Sequence, residues 1–284
     1  MLATFQRLTI VALAYLLGPA LAHAQDASAW DKNRNSAARL VAGVAVKNAD
    51  AAYLHAGVEL RLDPGWKTYW RYPGDSGVPP TFDFSGSDNV KAVTVEWPAP
   101  ARFPDGAGGN SIGYVDRVIL PLRVVAKDLN KPTSLHLKLD YDVCANMCVP
   151  ADATLDLALS GNGAEETAID KAAARVPRHV APGPDAGPNK GLAVIAAHRE
   201  PGDAHERIVV EVAAPQDATV DLFAEGPTPD WSLPLPEPLD RDGERRRYAF
   251  DLDGLPPGAD AKGVTLTFTL VSPDDAIEVP IRLD

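Results

Sequence analysis

The sequence predicts an all-β protein: two antiparallel β-sandwich domains joined by a short helix and a Pro/Gly linker. Three observations carry this. Most of the chain alternates apolar and polar residues with period two, the signature of half-buried strands. Its 26 Pro and 22 Gly among 284 residues punctuate these runs as turns do. Only the stretch 164–190 breaks the alternation, first with helix formers and then with Pro and Gly.

In chain order, the first element is a leader. Arg7 supplies a positive start, residues 8–17 are almost wholly apolar, Pro19 interrupts them, and Ala22-His23-Ala24 makes an A-x-A cleavage site. Residues 1–24 therefore predict a secretory signal, with a mature protein that is exported and does not itself span a membrane. The strand pattern starts after it. Leu54, Ala56, Val58, Leu60 and Leu62 share one face, with His55, Glu59 and Arg61 on the other. The same alternation recurs at Val118, Leu120, Leu122 and Val124, at Leu135, Leu137, Leu139 and Tyr141, and at Leu155, Leu157 and Leu159. These runs define a first sandwich over residues 30–162.

Residues 164–176 carry good helix formers, acids at the start and Arg175 near the end, which suits the helix dipole. Pro177 stops the helix, and residues 181–190 form a Pro/Gly hinge, so 163–190 is assigned to helix and linker. Strands return at Ile208, Val210 and Val212, at Val220 and Leu222, and at Tyr248, Phe250 and Leu252. Val264, Leu266, Phe268 and Leu270 follow, with Thr265, Thr267 and Thr269 facing out, and Ile277, Val279, Ile281 and Leu283 close a second sandwich over 191–284.

Composition removes several functions. Asp plus Glu number 39 against 27 Lys plus Arg, a net charge of −12. Such a chain lacks the basic footprint that nucleic-acid phosphates or anionic lipid require. Two Cys exclude a disulfide-dense scaffold and a four-Cys zinc site. The six His are scattered without ligand spacing, and no phosphate-binding Gly motif or calcium loop is present. No cofactor is expected.

The chemistry is expected at Asp142-Val143-Cys144-Ala145-Asn146-Met147-Cys148-Val149-Pro150. With strands on both sides, Cys144 and Cys148 flank a three-residue loop at a hairpin tip, and facing residues there come close enough for a disulfide. One reading is a structural staple. Closing a five-residue loop stabilises by only about 2 kcal/mol, against about 4.7 kcal/mol for a hundred-residue loop. The other reading is thiol–disulfide exchange, which needs access to one sulfur. Spacing alone leaves the two equally open. A third is Cu(I) binding by Cys144, Met147 and Cys148, since thiolate and thioether select that ion.

Other motifs read blandly. Gly74-Asp75-Ser76-Gly77 matches a serine-protease nucleophile segment in letters, but its order and position fit a turn. Trp66, Tyr69, Trp70 and Tyr72 fit sandwich-core packing, with one or two of them at an interface.

The chain resembles the periplasmic N-terminal region of the DsbD/ScsB family of thiol:disulfide interchange proteins. The resemblance covers residues 40–160 well and the rest loosely. It rests on Pro64-Gly65-Trp66-Lys67-Thr68-Tyr69-Trp70, Pro73-Gly74-Asp75-Ser76-Gly77, Glu96-Trp97-Pro98-Ala99-Pro100, Arg102-Phe103-Pro104, Gly113-Tyr114, Leu120-Pro121 and the Cys144 to Pro150 segment. It implies an immunoglobulin-like domain in the periplasm whose Cys144 and Cys148 carry electrons as a protein-disulfide reductase does. The implied partners are a separate membrane thiol reductase as donor and periplasmic thioredoxin-like proteins as acceptors. Family members carry a membrane portion and a thioredoxin domain; neither is expected in this sequence, which is why the implied donor is a separate protein. Cys148 is the sulfur implied to meet partners.

The resemblance also places a cap loop over the cysteines at residues 103–110, with Phe103, Asp105, Gly108 and Asn110 as its candidates. The stretch lacks the family's paired acids and aromatic, and its glycines make a flexible flap the expectation. Asp142, Tyr141 and Met147 are expected to tune the site. Alternation puts Asp142 on the face of Cys144 and Tyr141 on the opposite one, and a carboxylate beside a thiol raises its pKa.

Overall fold

The computed structural model describes residues 26–47, 52–106, 108–183, 191–202 and 206–284. The expected leader and its cleavage site lie outside these residues, as do residues 184–190 of the expected hinge. The protein is all-β with one short helix, and its strands form four sheets paired into two sandwiches.

The first sandwich contains β1 (Asp31–Lys32), β2 (Ser36–Lys47), β3 (Ala52–Leu62), β4 (Lys67–Gly74), β5 (Thr81–Asp83) and β6 (Val90–Val95). It continues with β7 (Ala101–Pro104), β8 (Asn110–Val115), β9 (Arg117–Ala126), β10 (Thr133–Cys144) and β11 (Cys148–Leu159). One sheet runs β1-β2-β3-β9-β6; the other runs β11-β10-β4-β8-β7, with β5 also on β10. Their inner faces bury the alternating residues read from the sequence, among them Val58, Leu60, Leu120, Leu122, Leu135, Leu137, Leu139, Leu155 and Leu157. Each such side chain moved out of water stabilises by about 1.5–3 kcal/mol.

The helix α1 (Glu166–Ala173) is shorter than the expected 164–176, because residues around it are used in turns; Ala164 N–H, for example, donates to the Asp26 carboxylate. It packs on the first sandwich, with Ile169 against Val41 and Ile119. This placement corrects one expectation. The polar face of β3 is not exposed: His55 and Glu59 are both buried, His55 against Glu166 of the helix and Glu59 among three arginines.

The second sandwich contains β12 (Arg178–His179), β13 (Ala193–Pro201), β14 (Glu206–Ala213), β15 (Asp221–Glu225), β16 (Glu237–Asp242), β17 (Arg245–Asp251), β18 (Thr265–Val271) and β19 (Ala276–Arg282). Its sheets run β12-β19-β18-β15 and β13-β14-β17-β16, around a core that includes Ile208, Val210, Leu222, Phe250, Leu266, Phe268 and Val279.

The two sandwiches are in contact. Phe223 and Leu235 of the second belong to the hydrophobic cluster of the first. Phe223, Thr269 and Glu278 lie side by side across β15, β18 and β19, and this row faces the first sandwich. Thr269, expected to point into solvent, is therefore fully buried.

Candidate functional site

Strands β10 and β11 pair along their whole length, from Thr133 opposite Leu159 to Cys144 opposite Cys148. The ladder ends where residues 145–147 turn the chain. β11 starts at Cys148, earlier than the sequence suggests, and continues through Pro150. This is tolerated because β11 is the edge strand, where a missing N–H breaks no ladder on its outer side. Cys144 and Cys148 are joined by a disulfide, with Cα atoms 4.1 Å apart. They are not equivalent: Cys144 is 8% exposed, whereas Cys148 is exposed.

What covers Cys144 comes from β4 and β7. Lys67 is the register partner of Cys144, so Tyr69, two residues on, projects from the same face of the sheet. Its hydroxyl lies 2.8 Å from Cys144 Sγ and 3.1 Å from Cys148 Sγ. Burial pushes the Tyr69 phenol above its ordinary pKa, and the Asp142 and Asp105 carboxylates add to that. The hydroxyl therefore keeps its proton and can donate it in a hydrogen bond to sulfur.

Phe103, Pro104 and Asp105 close the other side. With Tyr69, Ser76, the disulfide and loop 145–147 they line a small cavity of about 50 Å³. Lys67 ties the cover down: its ammonium sits 4.5 Å above the Phe103 ring and donates to the Pro104 carbonyl at 3.2 Å. The 103–110 stretch contains the expected glycines, and Gly106 and Gly108 adopt positive φ in open space. It is nevertheless pinned. The Asp105 carboxylate accepts from Gly109 N–H and from the Ser76 hydroxyl, each at 3.0 Å. Asp75 accepts from Asn110 N–H at 2.8 Å.

The turn at 74–77 thus stands at the site rather than apart from it. Gly77 packs so closely on Tyr69 that a Cβ there would lie 2.2 Å from the ring. In the sequence Tyr69 fits core or interface packing, and no local signal separates it from Trp66, Trp70 and Tyr72. The one available clue is its phase with Cys144, which needs the β4–β10 register.

The remaining expected residues divide. Met147 is at the loop tip and 69% exposed. Asp142 is half-buried, and its carbonyl accepts from the Thr68 hydroxyl at 2.9 Å. Tyr141 is not brought to the disulfide. It points into the core and bonds Ser36 Oγ at 2.8 Å, as expected for the face opposite Cys144. With the two cysteine sulfurs bonded to each other, a Cu(I) site would have to form from the reduced pair. Among the described residues, His55, Glu166 and Asp170 can share a metal ion geometrically, although His spacing gave no hint of it. His55 Nδ1 is already hydrogen-bonded to Glu166 at 2.9 Å.

A β-sandwich with a disulfide at one hairpin tip, one cysteine covered and the other exposed, has what a thiol:disulfide interchange module requires. Residues 38–160 match the family described as "Thiol:disulfide interchange protein DsbD, N-terminal". The crystal structure of the N-terminal periplasmic domain of ScsB from Proteus mirabilis is similar in fold, with a TM-score of 0.70 and 22% sequence identity. The match covers 91% of this chain and 98% of that one. Among curated proteins, no sequence matches.

Proposed function

We propose that the protein relays electrons in the periplasm, with Cys144 and Cys148 alternating between disulfide and dithiol. The donor is a membrane thiol reductase and the acceptors are thioredoxin-like proteins, as in the family. One observation carries this reading: the disulfide joins an exposed Cys148 to a Cys144 held under Tyr69 and Phe103. A staple needs no such cover, and a disulfide closing five residues contributes little to stability.

The exchange runs in two balanced halves. A donor thiolate attacks Cys148 Sγ; the Cys144–Cys148 bond breaks and Cys144 leaves as a thiolate, which takes up a proton. The donor's second thiol loses its proton and attacks its own sulfur of the mixed disulfide. Cys148 is released as a thiolate and protonated. The donor dithiol is oxidised to a disulfide, and this protein gains two electrons and two protons. In the second half, the Cys148 thiolate attacks an acceptor disulfide and Cys144 resolves the mixed disulfide, passing on the same two electrons and protons. Exposure favours Cys148 as the sulfur attacked, and the Tyr69 hydroxyl stands ready to stabilise the departing Cys144 thiolate.

The test is a Cys144→Ser, Cys148→Ser double variant beside the two single ones. Loss of electron transfer to a thioredoxin-like acceptor, with stability lowered by only about 2 kcal/mol, is the expected result. Cys144→Ser is expected to trap a mixed disulfide through Cys148. A double variant that unfolds, together with a native disulfide that never exchanges, would sink the proposal in favour of a structural staple.

A further inference from the structure

The two strands that cover the disulfide are also the two that the second sandwich grips. On β4, Tyr69 touches the sulfurs; its neighbour Trp70 packs on Phe223, and Arg71 pairs with Glu225 and Glu278. On β7, Phe103 lines the disulfide cavity, and its neighbour Arg102 enters the second sandwich. Asp221, Phe223 and Glu225 alternate along β15, so one face of one strand meets Arg102, Trp70 and Arg71 in turn.

The two grips differ in consequence. β4 lies between β10 and β8 and is held by backbone hydrogen bonds on both sides. β7 is an edge strand, paired with β8 alone. What holds it from the second sandwich is Arg102, all three of whose guanidinium nitrogens are engaged. Nε and Nη2 donate to the two oxygens of Asp221 at 3.0 and 2.8 Å, and Nη1 donates to Glu237 at 2.8 Å. Nη2 also donates to the carbonyls of Leu222 at 3.3 Å and Pro236 at 2.9 Å. The side chain is 16% exposed, so these charge-assisted bonds are only partly screened by water.

The geometry points to Arg102 as a positioning residue for disulfide exchange. Neighbouring side chains on a strand project to opposite faces, so anchoring Arg102 in the second sandwich fixes where Phe103 stands in the wall of the disulfide cavity. The second sandwich thereby sets how often the cover opens. It acts on the access of a thiolate to the sulfurs and not on the sulfurs themselves. This inference rests on the exchange reading above.

The test uses the full chain in its oxidised form and measures the rate at which dithiothreitol reduces Cys144–Cys148. An Asp221→Asn, Glu237→Gln variant keeps side-chain shape while removing both charges. It is expected to be reduced about tenfold faster than wild type, the effect of losing one well-made charge-assisted contact, with its reduction potential unchanged. Arg178→Ala, which removes a surface ion pair with Asp275 elsewhere in the second sandwich, is expected to leave the rate at the wild-type value. Should the double variant fail to fold, Arg102→Lys, which keeps the charge but loses the fork of donors, is expected to show a smaller rise. A folded variant reduced at the wild-type rate overturns the inference, as does an equal rise in Arg178→Ala. Failure of the exchange reading looks different: a disulfide that dithiothreitol reduces but no thioredoxin-like protein does.

Discussion

Trp70 of the first sandwich meets Phe223 of the second with ring centroids 5.9 Å apart and planes inclined at 55°. Both side chains are fully buried, and Phe223 joins the core of a sandwich to which its own strand does not belong. The residue before Trp70 is the one that touches the sulfurs. Phe223→Ala is therefore expected to be costly, by about 3–5 kcal/mol if the cavity does not collapse. Urea unfolding measures this. A loss below 1 kcal/mol would mean that the two sandwiches do not depend on each other for packing.

Tyr69→Phe keeps the ring in place and removes only the hydroxyl. In the reduced protein that hydroxyl is expected to donate to the Cys144 thiolate, a bond to a charged group that contributes about 1.5 kcal/mol or more. The Cys144 thiol of the variant should then titrate at higher pH, and exchange should slow about tenfold. The pH dependence of alkylation in a Cys148→Ser background reads the thiol directly. An unchanged titration would show that the phenol serves only as a cover.

Gly77 has φ near +117°, a conformation that L side chains rarely adopt, and it has Tyr69 against it. Gly77→Ala carries both a backbone and a steric penalty, together about 1–3 kcal/mol. Since Tyr69 is what must move, the variant should also open the disulfide to reagents. The expected pattern is a lower melting temperature together with faster reduction by dithiothreitol. Lower stability with an unchanged rate would separate the turn from the cover.

Period two reveals β3, β9, β10, β11, β14, β15, β17, β18 and β19, and with them the cysteine hairpin, because each inner face meets one common core. It failed where a face is buried by a different layer. Thr269 reads as solvent-facing beside Thr265 and Thr267, yet the first sandwich covers it. His55 and Glu59 read as an outer face, yet α1 and three arginines close over them. It also missed β16, whose residues are all exposed and so carry no apolar alternation. At the site, the two cysteines were legible and Tyr69 was not. In a run with four aromatics, only the pairing of Lys67 with Cys144 tells which one faces the sulfurs. Gly74 to Gly77 reads as a turn from its residues, but nothing local places it beside Asp105 and Asn110.

Glu59 offers a prediction about acid. Its side chain is fully buried, with Arg39 Nε and Arg117 Nε each 2.6 Å and Arg61 Nε 3.1 Å from its oxygens. Burial pushes the carboxyl up, but hydrogen bonds and charge from Arg39, Arg117 and Arg61 outweigh it, and the pKa falls below the ordinary 4.5. The folded protein thus holds this proton less tightly than the unfolded chain does. The stabilisation is complete above pH 4.5 and is lost as pH falls from there through the lower folded value. Glu166, lowered despite burial by His55 and the Val44 N–H, has the same sign. Glu59→Gln is expected to cost about 2–3 kcal/mol at pH 7, because it leaves three guanidinium groups facing one another, two of them half-exposed. It should also flatten the loss of stability below pH 4.5, since the titrating group is gone. Urea midpoints taken from pH 7 down to about pH 3 decide it. An acid slope as steep as that of wild type would assign the sensitivity to other carboxylates.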